Sequence, residues 1–147
     1  MTDSTMPKPG GLRFGAVIVC DEVRREENGK EILLGVYSGH IVVPTFPAKL
    51  RVAVWAEIFP DRLGKMAVWF RYRAGDASLP PIDGELEVLD LSGPISVALP
   101  TMEIAFQHAT TLEIEASENN QVWQSLKTKK VIEGKVPGFY SSHLPQA

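Results

Sequence analysis

The residues of this chain best suited to chemistry are its histidines, its cysteine and its loop carboxylates. The histidines stand at positions 40, 108 and 143, too far apart for the short spacings of zinc fingers or helical zinc sites. Folding would have to bring Asp21, His40 and His108 together to make a metal-dependent enzyme. A lone histidine at a strand end is more often simply hydrogen-bonded, so we predict no metal and no other cofactor.

Nucleophilic catalysis and phosphate binding find no support in the sequence. The chain has neither a Gly-x-Ser-x-Gly nucleophile elbow nor a glycine-rich phosphate loop. The single cysteine, Cys20, closes the apolar run 16–19, which predicts a small buried side chain rather than a reactive thiol. The sequence therefore predicts a protein that is not an enzyme.

Five aspartates have structural interpretations that compete with functional ones. Clustered loop aspartates bind calcium in C2-type sandwiches, but here each loop aspartate stands in a turn-like context, where its side chain bonds its own backbone. Asp21 instead interrupts an apolar strand. Because an unpaired buried charge is costly, we expect it to have a structural partner. The four predicted turn formers are Asp61, Asp76, Asp83 and Asp90.

Composition excludes several classes of protein. The chain has 147 residues and a formal net charge of −3, from 15 Lys and Arg against 18 Asp and Glu. No run approaches the roughly 18 apolar residues of a membrane span, and no long basic run suggests nucleic-acid binding. One cysteine excludes an intrachain disulfide, and the N-terminus lacks the apolar core of a secretory signal. We therefore expect a cytoplasmic protein whose partner is neither a membrane nor a nucleic acid.

Short runs of β-forming residues bounded by turn residues dominate the chain. No segment combines apolar residues at helical spacing with helix-capping residues. We predict a flexible arm over residues 1–11, one domain over 12–133 and an irregular tail over 134–147. Seven to nine strands are expected, which is typical of an antiparallel β-sandwich of immunoglobulin-like or C2-like topology. Asn28-Gly29 predicts a hairpin, in a register that places Glu27 opposite Lys30 and Val23 opposite Leu34.

The outer face of the third and fourth predicted strands, 50–59 and 65–74, is the most informative feature. If these strands pair through the loop 60–64, their apolar faces coincide, and Trp55 faces Trp69 on the face that the alternation assigns to solvent. Tryptophan and arginine are enriched at interface hot spots. The predicted binding residues are Trp55, Trp69, Arg51, Arg71, Arg73 and Glu57.

Three interpretations of this face remain open. It binds a protein partner or a second copy of the chain, it is covered by the chain's own ends, or it is a platform for a carbohydrate or small ligand. We predict protein–protein interaction or subunit assembly as the function, with ligand binding as the alternative. Elsewhere, Glu113, Glu115 and Glu118 predict a separate acidic region.

Several short motifs occur along the domain. They are Cys20-Asp21-Glu22-Val23-Arg24, Asn28-Gly29-Lys30, Leu34-Gly35-Val36-Tyr37, Leu99-Pro100 with Ile104 and Phe106, and the closing strand after Asn120. In these motifs most of the domain resembles a family of small bacterial proteins of unknown function. The resemblance implies a β-sandwich, and it transfers no catalytic residue.

Overall fold

The computed structural model describes residues 12–135, which form strands joined by turns and loops and contain no helix. The predicted arm, most of the predicted tail and His143 lie outside the described residues. The strands in this range are β1 (Arg13–Cys20), β2 (Glu22–Arg25), β3 (Glu31–Leu34), β4 (Ile41–Val43), β5 (Ala48–Phe59), β6 (Gly64–Ala74), β7 (Ala77–Ser78), β8 (Ile82–Val88), β9 (Ile95–Ala98), β10 (Met102–Phe106), β11 (Thr110–Ser117) and β12 (Gln124–Glu133).

The strands form two main sheets in a sandwich-like arrangement, as the sequence predicts. In the first sheet β5 is central, with β1 on one side and β9 and β10 pairing with successive parts of β5. In the second sheet the order is β4-β12-β11-β6, and β7 and β8 pair with successive parts of β6. The pairs are antiparallel except for β12 with β4. The remaining pair, β2 with β3, is a separate hairpin.

The core lies between the two sheets and is built by the alternation of side chains along β5 and β6. Side chains at every second position point inward and are buried, which confirms the faces predicted for both strands. These inward residues are Val52, Val54, Ala56 and Ile58 from β5, and Met66, Val68, Phe70 and Tyr72 from β6.

The predicted pairing of β5 with β6 is wrong. β5 pairs with β1, β9 and β10, whereas β6 pairs with β11, β7 and β8. The connection 60–63 therefore crosses from one sheet to the other instead of closing a hairpin. Val54 and Phe70 belong to the same core, but they approach it from opposite sheets.

The hairpin at Asn28-Gly29 is confirmed, but its predicted register is off by one residue. Val23 pairs with Leu33, not with Leu34. The amide of residue 26 donates to the carbonyl of residue 30, which leaves a three-residue loop. Gly29 has a φ of +85°, the left-handed position that such a loop places before the returning strand.

Bends divide several predicted runs, so the described residues contain twelve strands instead of seven to nine. The chain breaks at Asp21, between β1 and β2. It breaks again after β3, where Gly35 has a φ of +66°. The chain is also interrupted at Pro100, between β9 and β10. Because of the first two breaks, the β2–β3 hairpin leaves the plane of the first sheet.

Candidate functional site

The six predicted binding residues do not share one face. Trp55 lies between Ile18 of β1 and Ala98 of β9, whereas Trp69 lies between Ser117 of β11 and Asp83 of β8. The two tryptophans are thus on the outer faces of opposite sheets. Arg51 and Glu57 are on β5 with Trp55, and Arg71 and Arg73 are on β6 with Trp69. That any of the six contacts a partner stays a prediction.

The β2–β3 hairpin folds over the outer face of the first sheet and meets Trp55 there. Glu31 Oε1 accepts hydrogen bonds from Trp55 Nε1 at 2.8 Å and from Ser96 Oγ at 2.7 Å. Glu31 Oε2 lies 3.2 Å from an Arg25 guanidinium nitrogen, and the Glu31 side chain is only 9% exposed. Burial alone would raise the pKa of the Glu31 carboxyl, but these three hydrogen bonds together hold that pKa below its ordinary value.

Arg51 and Glu57, the other predicted site residues of β5, also have partners within the chain. Arg51 lies 3.5 Å from Glu22 of the hairpin, and its carbonyl accepts a hydrogen bond from Tyr37 Oη at 2.9 Å. Glu57 Oε1 accepts from the amide of Ala16 at 3.1 Å, where β1 has a register shift. This face is therefore covered in part by the chain itself, through the β2–β3 hairpin. The chain ends named in one of the three interpretations lie largely outside the described residues, so that interpretation stays a prediction.

Arg71 and Arg73 lie on the outer face of the second sheet against acidic residues of β11. Arg71 Nε donates to Glu115 Oε1 at 2.6 Å, and its guanidinium stacks 4.1 Å from the ring centre of Trp123. Arg73 lies 3.8 Å from both Glu113 and Glu115. The separate acidic region predicted for β11 is therefore wrong at these two positions, because β11 pairs with β6.

Asp21 lies at the bend between β1 and β2 and takes part in it through its main chain, whereas a partner for its carboxylate stays a prediction. Its amide donates to the carbonyls of Leu34 and Gly35, and its own carbonyl accepts from Thr101 Oγ1 at 2.9 Å. Burial, followed by the neighbouring Asp21 carboxylate, raises the pKa of Tyr37 well above its ordinary value. Asp21 thus anchors the bend from which the hairpin leaves the first sheet.

The residues considered for metal chemistry lie in three separate connections. Asp21 is between β1 and β2, His40 precedes β4, and His108 is in the turn between β10 and β11. Across residues 12–135 no cluster of three or more His, Cys, Asp or Glu side chains is arranged to hold a metal ion. Cys20 is fully buried, which confirms the prediction of a buried side chain.

The predicted turn aspartates have different outcomes. Asp90 is confirmed as a turn former, since its carboxylate accepts from Ser92 N at 2.7 Å and from Ser92 Oγ at 2.8 Å. These bonds hold the pKa of Asp90 below its ordinary value. Asp76 lies in the turn between β6 and β7, as predicted. Asp83 was predicted wrongly, because it lies inside β8.

One end of the sandwich carries exposed apolar side chains that the sequence analysis missed. This loop end comprises the connections 60–63, 89–94 and 118–123. Gly64 pairs with Val88, which brings the first two connections together, and Arg62 donates to Glu118 at 3.3 Å, which joins the third. Exposed fractions here are 62% for Leu63, 81% for Leu89, 49% for Leu91 and 42% for Val122.

A cleft lies between two turns at the opposite end, between residues 74–77 and 105–110. It has a volume of about 500 Å³ and is lined in part by Asp76, Gln107, His108 and Thr110. His108 Nδ1 lies 3.0 Å from the carbonyl oxygen of Ala109. Since a carbonyl only accepts, Nδ1 is the donor in this contact.

Comparisons with known proteins assign no family. No protein-family model matches the chain, and no curated protein matches it. Among solved structures, the chain is similar to a β-glucosidase from Erythrobacter marinus at a TM-score of 0.39 and 15% identity, over 82% of this chain and 15% of that one. The chain thus spans about a seventh of that enzyme. The described strands and connections include no helical segment with the length and hydrophobicity of a bilayer span.

Proposed function

We propose that this protein is a non-enzymatic binding module that recognises a protein partner through its loop end. The observation that supports this is the grouping of large apolar side chains on three connections at one end of the sandwich, with Leu89 81% exposed. Exposed apolar groups that gather in one place are typical of interaction sites. Loops held by a rigid scaffold carry binding function in many β-sandwiches.

Short-range hydrogen bonds hold the loop 89–94 in a defined conformation, which favours a binding role. Asp90 bonds both the amide and the hydroxyl of Ser92, so the backbone between Leu89 and Leu91 is held by short-range hydrogen bonds. A preorganised loop loses less conformational entropy on binding than a mobile one. Leu89 and Leu91 are therefore presented to a partner at low entropic cost.

Paired variants test the proposal. The double variant Leu89→Ser and Leu91→Ser removes the apolar groups of one loop. The matched control, Ile32→Ser with Val36→Ser, removes two other exposed apolar groups, which are 41% and 50% exposed, from the β2–β3 region. Tagged wild-type and variant proteins are compared by affinity purification with mass spectrometry and by analytical ultracentrifugation. We expect the loop variant to lose a partner, or the self-association, that the control retains.

Identical partners and identical oligomeric states for wild-type and loop variant would overturn the proposal. Circular dichroism of both variants checks the fold. All four substituted residues are exposed, so we expect the stability of each variant to change by no more than about 0.5 kcal/mol per site.

The cleft around His108 favours a second candidate function, the binding of a small polar ligand. Its volume of about 500 Å³ lies within the range of small-molecule sites. The tryptophan platform predicted from the sequence is not assembled, because Trp55 and Trp69 lie on opposite sheets. NMR titration with a panel of monosaccharides tests the cleft, with His108→Ala as the variant and His40→Ala as the control. Chemical-shift changes that are lost in His108→Ala and retained in His40→Ala support ligand binding in the cleft. Spectra that no monosaccharide changes refute it.

A further inference from the structure

Among residues 12–135, β8 is the longest regular edge that either sheet exposes. The edge strand β1 has a register shift between Phe14 and Val17, and the edge formed by β9 and β10 breaks at Pro100. β4 has only three residues, and the part of β12 that it leaves uncovered is interrupted by a register shift against β11. β8 pairs with β6 over seven consecutive residues without a bulge. Such an edge presents unpaired N–H and C=O groups to any extended chain.

One face of β8 is exposed, and all of its side chains are acidic. Asp83, Glu85 and Glu87 are exposed, while Leu86 and Val88, on the opposite face, are buried. In the described part of the chain the one ion pair of these carboxylates is Lys65 with Glu85, at 4.0 Å. The glutamates of β11, by contrast, lie against arginines. The fold therefore leaves most of the charge of β8 uncompensated.

This charge pattern selects between partners. Two copies of β8 that paired antiparallel would bring carboxylates opposite carboxylates, and like charges directly opposite destabilise a ladder. A strand with lysine or arginine at every second position would place opposite charges there instead. The acidic face thus opposes pairing between copies of β8 and leaves the edge open to a basic strand.

We propose that β8 accepts an extended basic segment of a partner protein as an added strand of the second sheet. Backbone hydrogen bonds to the free edge provide affinity, and alternate basic side chains opposite Asp83, Glu85 and Glu87 provide specificity. The segment has basic residues at positions i, i+2 and i+4, with apolar residues between them. The proposal goes beyond the loop-end function, because it names another surface and the charge of its ligand, and either can fail alone.

Hydrogen exchange and peptide titration of the full-length chain test this inference. The probe is a hexapeptide of alternating lysine and valine, and its control is the matching glutamate–valine peptide. We expect the lysine peptide to protect alternate backbone amides within 82–88 and to shift their NMR signals. The glutamate peptide leaves these amides unchanged. Because the attraction is electrostatic, we expect the affinity to fall as the salt concentration rises.

Charge reversal supplies the decisive comparison. The triple variant Asp83→Lys, Glu85→Lys and Glu87→Lys is expected to bind the lysine peptide about tenfold more weakly, since three favourable cross-strand pairs are lost, and to bind the glutamate peptide instead. A control with equal charge change, Glu26→Lys, Glu27→Lys and Glu103→Lys, keeps the preference for lysine.

Three results would overturn the inference. One is slow hydrogen exchange, without peptide, at the β8 amides that point away from β6. This would mean that the edge is already occupied. Another is binding of the lysine peptide without protection of 82–88. The last is an equal loss of binding in the triple variant and its control, which would mean that binding depends on the net charge of the protein and not on β8.

Discussion

Removal of the Glu31 carboxylate should release the β2–β3 hairpin from the first sheet. Glu31→Ala leaves two donors without their acceptor, the indole N–H of Trp55 and the hydroxyl of Ser96, which are bonded at 2.8 Å and 2.7 Å in the wild type. Each unsatisfied donor costs about 1–3 kcal/mol. Since Trp55 is only half-buried, we take the lower end of that range, about 1–1.5 kcal/mol per donor, and expect a loss of about 2–3 kcal/mol for the two donors. This corresponds to a fall in Tm of about 5–10 °C.

Glu31→Gln separates the hydrogen bonds from the charge. The amide oxygen still accepts a hydrogen bond, so we expect a smaller loss of about 1 kcal/mol, discounted because the Arg25 side chain is 66% exposed. The pKa of Glu31 is lower in the folded chain than its ordinary value, so the carboxylate stabilises the fold above the unfolded pKa. That contribution is lost as the pH falls through the folded pKa. The difference between wild type and Glu31→Gln should therefore vanish in acid.

Urea unfolding at neutral pH and near pH 3, followed by circular dichroism and tryptophan fluorescence, measures these effects. Glu85→Ala is the matched control, because that side chain is 63% exposed and its lysine partner is 4.0 Å away. We expect the control to change the free energy of unfolding by less than about 0.5 kcal/mol. Equal losses for Glu31→Ala and the control, or a Glu31→Gln difference that is the same at both pH values, would refute the reasoning.

Two further predictions concern the bend and the thiol. Gly35→Ala would place a methyl group 2.2 Å from the Asp21 carboxylate at a φ of +66°, so we expect a loss of more than about 2 kcal/mol in urea unfolding. Gly39→Ala has a similar φ of +64° but open space, and a loss as large as that of Gly35→Ala would contradict the clash. Burial raises the pKa of Cys20, so a thiol reagent should modify it only in denaturant, and rapid labelling of the folded protein would contradict its burial.

The sequence alone predicted the local features of this protein. The period-two alternation placed the inward residues of β5 and β6 correctly, because burial on one face leaves its pattern in the residues themselves. Asn28-Gly29 predicted a hairpin because few residues tolerate its backbone geometry.

Tertiary structure alone decided which strands are neighbours, and with that the candidate sites. The apolar faces of β5 and β6 would coincide in a hairpin, but in the structure they meet across the core, and burial of apolar surface is non-directional. A short connection such as 60–63 serves either arrangement. The alternation therefore specifies which face of a strand is buried, but not which strand lies beside it. Only the path of the chain between the sheets decided three features: the separation of Trp55 from Trp69, the pairing of Arg71 with Glu115, and the free edge of β8.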